Sequence, residues 1–301
     1  MDKTAFLSAI QAQKIEYVLN EPMCRHTTFK IGGAADIFIS IKSVEELSFV
    51  LKSAKEYNIP TFLLGKGSNL LVSDKGIEGT VILLSGIDCI EVNGNTITCG
   101  GGASLRSVCI AAQKARLSGL EFAFGIPGSV GGAVYMNAGA YGGEISQVIK
   151  SATVMDKNGN IREVKAADMA LGYRTSVFKE SGDIILSVQF ELAPDDKDLI
   201  RERMEDYFSR RREKQPLEFP SAGSTFKRPE GYFAGVLIEE NNLKGVSVGG
   251  AEVSEKHAGF VINKDNATCS DVLELIKMVQ KTVMDNNGVG LEPEVIFIGR
   301  E

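Results

Sequence analysis

Residues 125–142, GIPGSVGGAVYMNAGAYG, restrict what the rest of the chain can be. Six of these eighteen residues are glycine, yet Val130, Val134, Tyr135 and Met136 sit among them. A flexible linker is Gly/Ser-rich without such apolar content, so this is ordered backbone that passes close to something. Glycine permits positive φ and lacks a Cβ, which lets bare N–H groups point at an anion, a phosphate above all. Tight turns inside a core, where glycine only relieves packing, account for the same residues equally well. On this stretch alone the two readings stand level.

The 301 residues exceed one ordinary core and predict two or three domains. With 44% hydrophobic and 24% charged residues the chain has the composition of a globular protein. A net charge of -6 argues against a general nucleic-acid binder and against a binder of anionic membranes. The N-terminal segment MDKTAFLSAIQAQKIEYVL has an amphipathic helical pattern with charges throughout, not the apolar core of a signal peptide. No run of about 18 apolar residues is present, so no membrane span is expected. Cys24, Cys89, Cys99, Cys109 and Cys269 are scattered and histidines number two. Neither a disulfide framework nor any metal site is expected, and the chain reads as reduced and cytoplasmic.

After the N-terminal helix, residues 27–40 read as a strand broken at Gly32-Gly33. Ser43-Val44-Glu45-Glu46 is a capping box opening a helix with Leu47, Val50, Leu51 and Ala54 on one face. Thr61-Phe62-Leu63-Leu64 is a short apolar strand running straight into GKGSNLLV, residues 65–72, an order of α/β character. A hairpin turns at Asn93-Gly94-Asn95, Ser104 caps a helix carrying Leu105, Val108, Cys109 and Ala112, and another hairpin turns at 157–160. Leu186, Val188, Phe190 and Leu192 alternate with polar residues as a half-buried strand. Past a boundary at Pro194, a helix with Ile200, Met204, Tyr207 and Phe208 inward ends in the basic run 210–214. The remainder holds a helix near 231–241, strands near 258–263, a strong helix through Val272, Leu275, Ile276, Val279 and Val283, and a last strand at 294–298.

Two familiar phosphate loops fail here. In a P-loop, G-x-x-x-x-G-K must be followed by Ser or Thr, but Gly67 follows Gly65-Lys66. The G-x-G-x-x-G fingerprint lacks its third glycine at residues 65–70, and residues 125–132 have the wrong spacing. Any nucleotide is therefore held by another architecture.

HTTFKIGG (26–33), GKGSNLLV (65–72), GIPGSVGGAVYMNAGAYG (125–142), GYRTSVFK (172–179), PSAGSTFKRP (220–229) and LEPEVIFIG (291–299) occur in this order across nearly the whole chain. In this register the chain resembles the UDP-N-acetylenolpyruvoylglucosamine reductases, flavin enzymes of peptidoglycan precursor synthesis. The resemblance implies an α+β architecture: a two-subdomain FAD-binding fold of the vanillyl-alcohol-oxidase type, spanning 1–79 and 80–200, plus a substrate-binding domain over 201–301. It implies two glycine loops cradling the FAD pyrophosphate, with Gly65, Lys66, Gly67, Ser68 and Asn69 in one. The other would use Gly125, Pro127, Gly128, Ser129, Gly131, Gly132 and Asn137. His26 and His257 lie outside both loops, so the FAD is expected to be non-covalent.

The reaction implied passes hydride from NADPH through the flavin to carbon 3 of a UDP-sugar enolpyruvyl ether. Charge then develops on carbon 2 and its carboxylate, which calls for a cationic group and a proton donor. Register assigns Arg174 to the charge, Ser224 to the proton and Glu294 to the enolic intermediate, with Tyr173, Lys214 and Lys227 toward the substrate. Taken alone, each has an ordinary alternative: a surface arginine after a strand, a turn hydroxyl with Ser221 as rival, a solvent-facing carboxylate like Glu292, a solvated helix-end charge. Phe178-Lys-Glu-Ser-Gly-Asp183 leads directly into the strand at Ile184, which marks a shorter branch without a tyrosine-bearing insertion. The expected protein is monomeric. Rival readings are an FAD oxidoreductase of the same superfamily with another substrate, and a nucleotide-sugar binding module without redox chemistry.

Overall fold

A computed structural model describing residues 1–301 resolves the apolar pattern into two compact units, each gathered from separate stretches of chain. Unit 1 comprises Met1–Val18, Ile37–Lys66 and Gly79–Arg210; unit 2 comprises Leu19–Asp36, Gly67–Glu78 and Arg211–Glu301. The colinear division at 79/80 and 200/201 lies near two of these crossings, but the first 79 residues are shared between the units. The cause is hydrophobic: Phe29, Ile31 and Leu71 belong to the same core as the C-terminal third.

In unit 1 the helices Lys3–Ala12 and Val44–Glu56 bury Phe6, Ile10, Leu47, Val50 and Ala54 with Ile37, Ile39 and Ile82. Each of these side chains other than Ala54 contributes about 1.5–3 kcal/mol when fully buried. Ser43 Oγ caps the second helix, accepting from the Glu46 N–H at 3.2 Å. The reciprocal half of the expected box is displaced by one residue, since Glu46 accepts from the Lys42 N–H at 2.7 Å. Strand Thr61–Leu64 pairs in parallel with residues 80–83, so the chain reaches residue 65 from a fixed, buried strand end.

A five-stranded antiparallel sheet holds the second core of this unit, in the order Ile161–Lys165, Ile149–Met155, Ile184–Glu191, Thr96–Gly100, Ile90–Asn93. A register shift between Thr153 and Val154 breaks strict alternation on the neighbouring strand. Ile185 and Leu186 are consequently both buried, one in each core of the unit. Helix Leu105–Lys114 buries the four residues its spacing predicted.

Unit 2 is built on helix Cys269–Asn287, which buries Val272, Leu275, Ile276, Val279 and Val283 and stops at Gly288 with φ 68°. Helix Ala234–Glu240 and the strands Ser247–Val248, Ala251–Val253 and Val261–Asn263 share this core. A parallel pair, Leu70–Val72 with Ile296–Ile298, joins the early part of the chain to its end. Residues 27–33 are not a strand: Thr27 Oγ1 donates to the Ile31 carbonyl at 3.1 Å, and Lys30 lies at φ 58°.

Candidate active site

The loop 65–69 leaves one strand and enters the next, and the N–H groups of Gly65, Lys66, Gly67, Ser68 and Asn69 donate to no acceptor in the protein. Gly67 is buried, and a buried amide without a partner costs about 1–3 kcal/mol. Consecutive bare donors of this kind form an anion-binding surface. Gly67 has φ 61°, and a Cβ there would lie 2.1 Å from the His26 carbonyl oxygen, so no other residue fits. The Thr28 N–H donates back to the Gly67 carbonyl at 3.2 Å, while the His26 ring is bonded to Glu21 at 2.9 Å. Within unit 1, a side chain at Gly65 would meet Ser129 Oγ at 2.7 Å, which sets the two glycine segments against one another.

The 125–142 stretch divides into two kinds of residue. Ser129 Oγ accepts from the Gly132 N–H at 3.3 Å, opening the short helix Val130–Tyr135. The N–H groups of Val130 and Gly131 donate to the carbonyls of Ala103 and Gly101 at 2.9 and 2.8 Å. The expectation that Gly131 and Gly132 offer amides to a ligand is thereby corrected, because both are engaged inside the fold. Gly132 is bonded to Ser129 and Gly131 to Gly101, in the run Gly100-Gly101-Gly102, whose three successive glycines are a signal outside the motifs named above. Gly125, Gly128 and Ser129 keep unengaged N–H groups. Gly128 does not have positive φ and has nothing within 4 Å of the place a Cβ would occupy. Neither strain nor internal packing requires glycine there; a diphosphate lying against the backbone would. The bare donors at 65–69 and the open backbone at Gly128 each fit a phosphate group.

Asn137 is a second correction. Its side chain is 1% exposed, donates to the Gly172 carbonyl at 3.1 Å and accepts from the Ser146 N–H at 2.9 Å. It therefore ties this stretch to the GYR segment and turns no open face to a cofactor. Gly172 and Thr175 exchange both backbone hydrogen bonds at 3.2 Å, placing Tyr173 and Arg174 at the corner of a tight turn. Arg174 has φ 55°, a left-handed conformation costing about 1–2 kcal/mol for a residue with a Cβ. Lys179 Nζ donates to the Arg174 carbonyl at 2.6 Å, and Ser176 Oγ to the Tyr135 carbonyl at 2.8 Å. The Arg174 guanidinium lies 5.2 Å from the Tyr173 ring centroid, and Tyr173 is exposed. The following helix Phe178–Ser181 ends at Gly182 and leads straight to strand Ile184–Glu191, with no inserted element.

In unit 2, four of the six motif segments are laced together. Thr28 Oγ1 donates to the Ser221 carbonyl at 2.7 Å. Thr225 donates its N–H to Gly259, accepts at Oγ1 from Val261, and accepts at its carbonyl from the Glu294 N–H, at 2.8, 2.9 and 2.8 Å. That last bond brings Ser224 and Glu294 onto adjoining backbone. Asn69 Nδ2 donates to the Glu294 carbonyl at 3.0 Å and the Ile296 N–H to the Asn69 carbonyl at 2.9 Å. Ser224 is exposed and follows Gly223 at φ 79°, so its hydroxyl stands out from a clamped loop. Ser221 instead bridges to Ile262. Lys227 is bonded to Glu292 through both its backbone N–H and its ammonium. Lys214 is exposed in the last turn of helix Lys197–Lys214.

Unit 1 thus presents a fork-shaped cation on a strained turn. Unit 2 presents Ser224 and Glu294 on adjoining backbone, together with the bare amides of Gly67, Ser68 and Asn69. Residues 215–298 match the family model described as UDP-N-acetylenolpyruvoylglucosamine reductase, C-terminal domain, and residues 35–165 match that described as FAD binding domain. The UDP-N-acetylenolpyruvoylglucosamine reductase of Clostridium perfringens (strain SM101 / Type A) is 50% identical over 286 residues, 95% of this chain and 94% of its own. That of Clostridium novyi (strain NT) is 50% identical over 296 residues, 96% of each chain. The solved UDP-N-acetylenolpyruvylglucosamine reductase of Thermus caldophilus superposes with a TM-score of 0.81 at 35% identity, over 94% of this chain and 98% of that one.

Proposed function

Because the chain belongs to the UDP-N-acetylenolpyruvoylglucosamine reductase family, we propose that it is the FAD-dependent enzyme that converts the UDP-N-acetylglucosamine enolpyruvyl ether to UDP-N-acetylmuramate. NADPH is the hydride source, the FAD is non-covalent, and the enzyme works as a monomer in the cytoplasm. The observation that carries this reading is the row of five unengaged amides at 65–69, continuous with a strand that pairs beside Glu294. No helix is long and apolar enough to cross a membrane.

The residues that would hold FAD are the backbone donors of 65–69 with Gly125, Gly128 and Ser129. When bound, the flavin supplies two-electron hydride transfer from NADPH to carbon 3 of the enolpyruvyl group. The chain's own side chains manage the charge and the proton. Arg174 offers two parallel N–H donors to the substrate carboxylate, where negative charge gathers as carbon 3 gains its hydride. Ser224 delivers its proton to carbon 2, completing the saturated ether, and recovers a proton from water. Glu294 hydrogen-bonds the enolic form of that carboxylate. Tyr173 and Lys214 face the remainder of the substrate, Lys214 toward the diphosphate. Lys227, bonded to Glu292, is left out of this assignment.

Ser224→Ala is expected to leave bleaching of the flavin by NADPH nearly intact while slowing its recolouring by the enolpyruvyl ether by roughly 10²-fold or more. Stopped-flow absorbance resolves the two half-reactions. Unchanged recolouring in that variant, with loss in Ser221→Ala, would move the role to Ser221. A protein that binds no flavin would favour a non-catalytic module. One that bleaches but is not recoloured by this ether would favour an oxidoreductase with another substrate.

A further inference from the structure

We propose that Asn69 and Asn137, the asparagines of the two glycine-rich segments, are positioning residues for the catalytic backbone and not side-chain ligands of the cofactor. The inference rests on the roles given above to Glu294 and Arg174. Each asparagine reaches the segment of one of them.

In unit 2, Glu294 is held by its backbone at both ends. Its N–H donates to the Thr225 carbonyl at 2.8 Å, next to Ser224, and its carbonyl accepts from Asn69 Nδ2 at 3.0 Å. Asn69 is itself fixed by the Ile296 N–H, which donates to its carbonyl at 2.9 Å. The asparagine amide is thus part of a closed backbone circuit, Asn69–Glu294–Ile296. Removing it leaves the peptide between Glu294 and Val295 without its donor, free to rotate and to shift the residue that carries the carboxyl.

In unit 1, Asn137 donates to the carbonyl of Gly172 at 3.1 Å, the residue that closes the turn bearing Tyr173 and Arg174. Its other amide atom accepts from the Ser146 N–H at 2.9 Å, so its side chain has a single defined orientation. Arg174 lies at φ 55°, a conformation that persists only where neighbours fix it. Two donors do so, Asn137 on one side of the corner and Lys179 Nζ on the Arg174 carbonyl at 2.6 Å. Each glycine segment is therefore mechanically joined to a group that acts on substrate, and the amide that joins them faces backbone.

The test separates cofactor retention from the two half-reactions. For Asn69→Ala the expected result is an FAD dissociation constant and an NADPH-driven bleaching rate within about threefold of the parent. Recolouring by the enolpyruvyl ether should be slowed about 10- to 100-fold, through kcat more than KM, with a displaced pH profile. Asn137→Asp keeps the Ser146 bond and removes the donor to Gly172; the same pattern is expected. If the buried charge prevents folding, Lys179→Met removes the other donor at the same corner and must reproduce it. FAD binding weakened tenfold or more, with normal recolouring per bound flavin, would make these side chains cofactor ligands and overturn the proposal. Equal slowing of both half-reactions together with a lowered melting temperature of the FAD-free protein would also overturn it. Glu294→Gln and Arg174→Lys are measured alongside. If these leave recolouring unchanged, the catalytic reading itself fails; if they slow it and the asparagine variants do not, only the positioning role fails.

Discussion

Arg174 and Gly67 are the two residues at which backbone conformation, more than side-chain chemistry, decides what the chain can do. Arg174 keeps a left-handed φ of 55° because Asn137 and Lys179 brace its turn. Gly67 keeps φ 61° because nothing larger fits under the His26 carbonyl. Gly67→Ala adds about 1–3 kcal/mol of backbone strain before the 2.1 Å contact is counted. It is expected to lower the denaturant midpoint and weaken FAD binding together, read by urea unfolding and flavin fluorescence titration. An alanine variant that binds FAD normally would mean the loop has another accessible path. Motif register proposes Arg174, Ser224 and Glu294 for the chemistry. It does not reveal that the hydrogen bonds of Gly131, Gly132 and Asn137 turn inward, because a glycine or asparagine in a phosphate-type motif looks the same whether its hydrogen bond goes out to a ligand or inward. The inward partners lie at Gly101, Ser129 and Gly172, and only folding brings Gly101 and Gly172 near.

At the scale of elements, the Cys269–Asn287 helix is the clearest case of a sequence announcing its own structure. Five apolar residues fall on one stripe, and Gly288 stops it in the left-handed conformation. Its beginning was less legible. Thr268 and Asp271 exchange a capping box, and Asp74, nearly two hundred residues earlier, accepts from the Cys269 and Ser270 N–H groups at 2.8 and 3.0 Å. A carboxylate there satisfies two orphan donors and meets the positive end of the helix dipole. Asp74→Ala is expected to cost about 1–2 kcal/mol, visible as a lower calorimetric midpoint, with flavin content unchanged. No loss would show that Thr268 alone suffices. The 27–33 segment misled in the opposite direction: β-branched and aromatic residues suggest a strand, but the Thr27 hydroxyl bond and the Lys30 turn replace a ladder. The helix Lys197–Lys214 is held by a group its pattern hides, Arg203, bonded to Glu121 at 2.8 Å and Asp195 at 2.5 Å. Burial raises the Glu121 pKa, but that guanidinium with the Gly119 N–H and Ser118 hydroxyl more than reverses it.

For the whole molecule, one histidine links stability to pH. Burial holds the His257 imidazole below its usual range, and its Nδ1 accepts from the Gly259 N–H at 3.1 Å, which requires that nitrogen to be unprotonated. As pH falls below about 6.5 the unfolded chain takes up a proton that the folded chain does not. Stability should therefore be level above that pH and decline beneath it, until the folded ring itself titrates. Urea midpoints at about pH 5.5 and 7.5 measure the slope, and His257→Gln should reduce it. An unchanged slope would place the linkage elsewhere. The α+β class and the FAD-binding architecture were legible through motif order, and the family matches bear both out. The discontinuity of the units was not, because composition does not change where the chain crosses from one to the other.

That discontinuity governs the order in which the molecule becomes complete as it leaves the ribosome. Strand Leu70–Val72 emerges well before its partner Ile296–Ile298, and the Asn69–Glu294 bond closes a loop of 225 positions. Loop-closure entropy rises only logarithmically with length, so the finished pairing is not penalised heavily by the distance. The delay is kinetic: until Ile296–Ile298 is made an apolar strand edge waits unpaired, the condition that invites chaperones or misassembly. A growing chain of this kind holds its bare amides and its carboxyl apart until Glu294 and the strand behind it arrive.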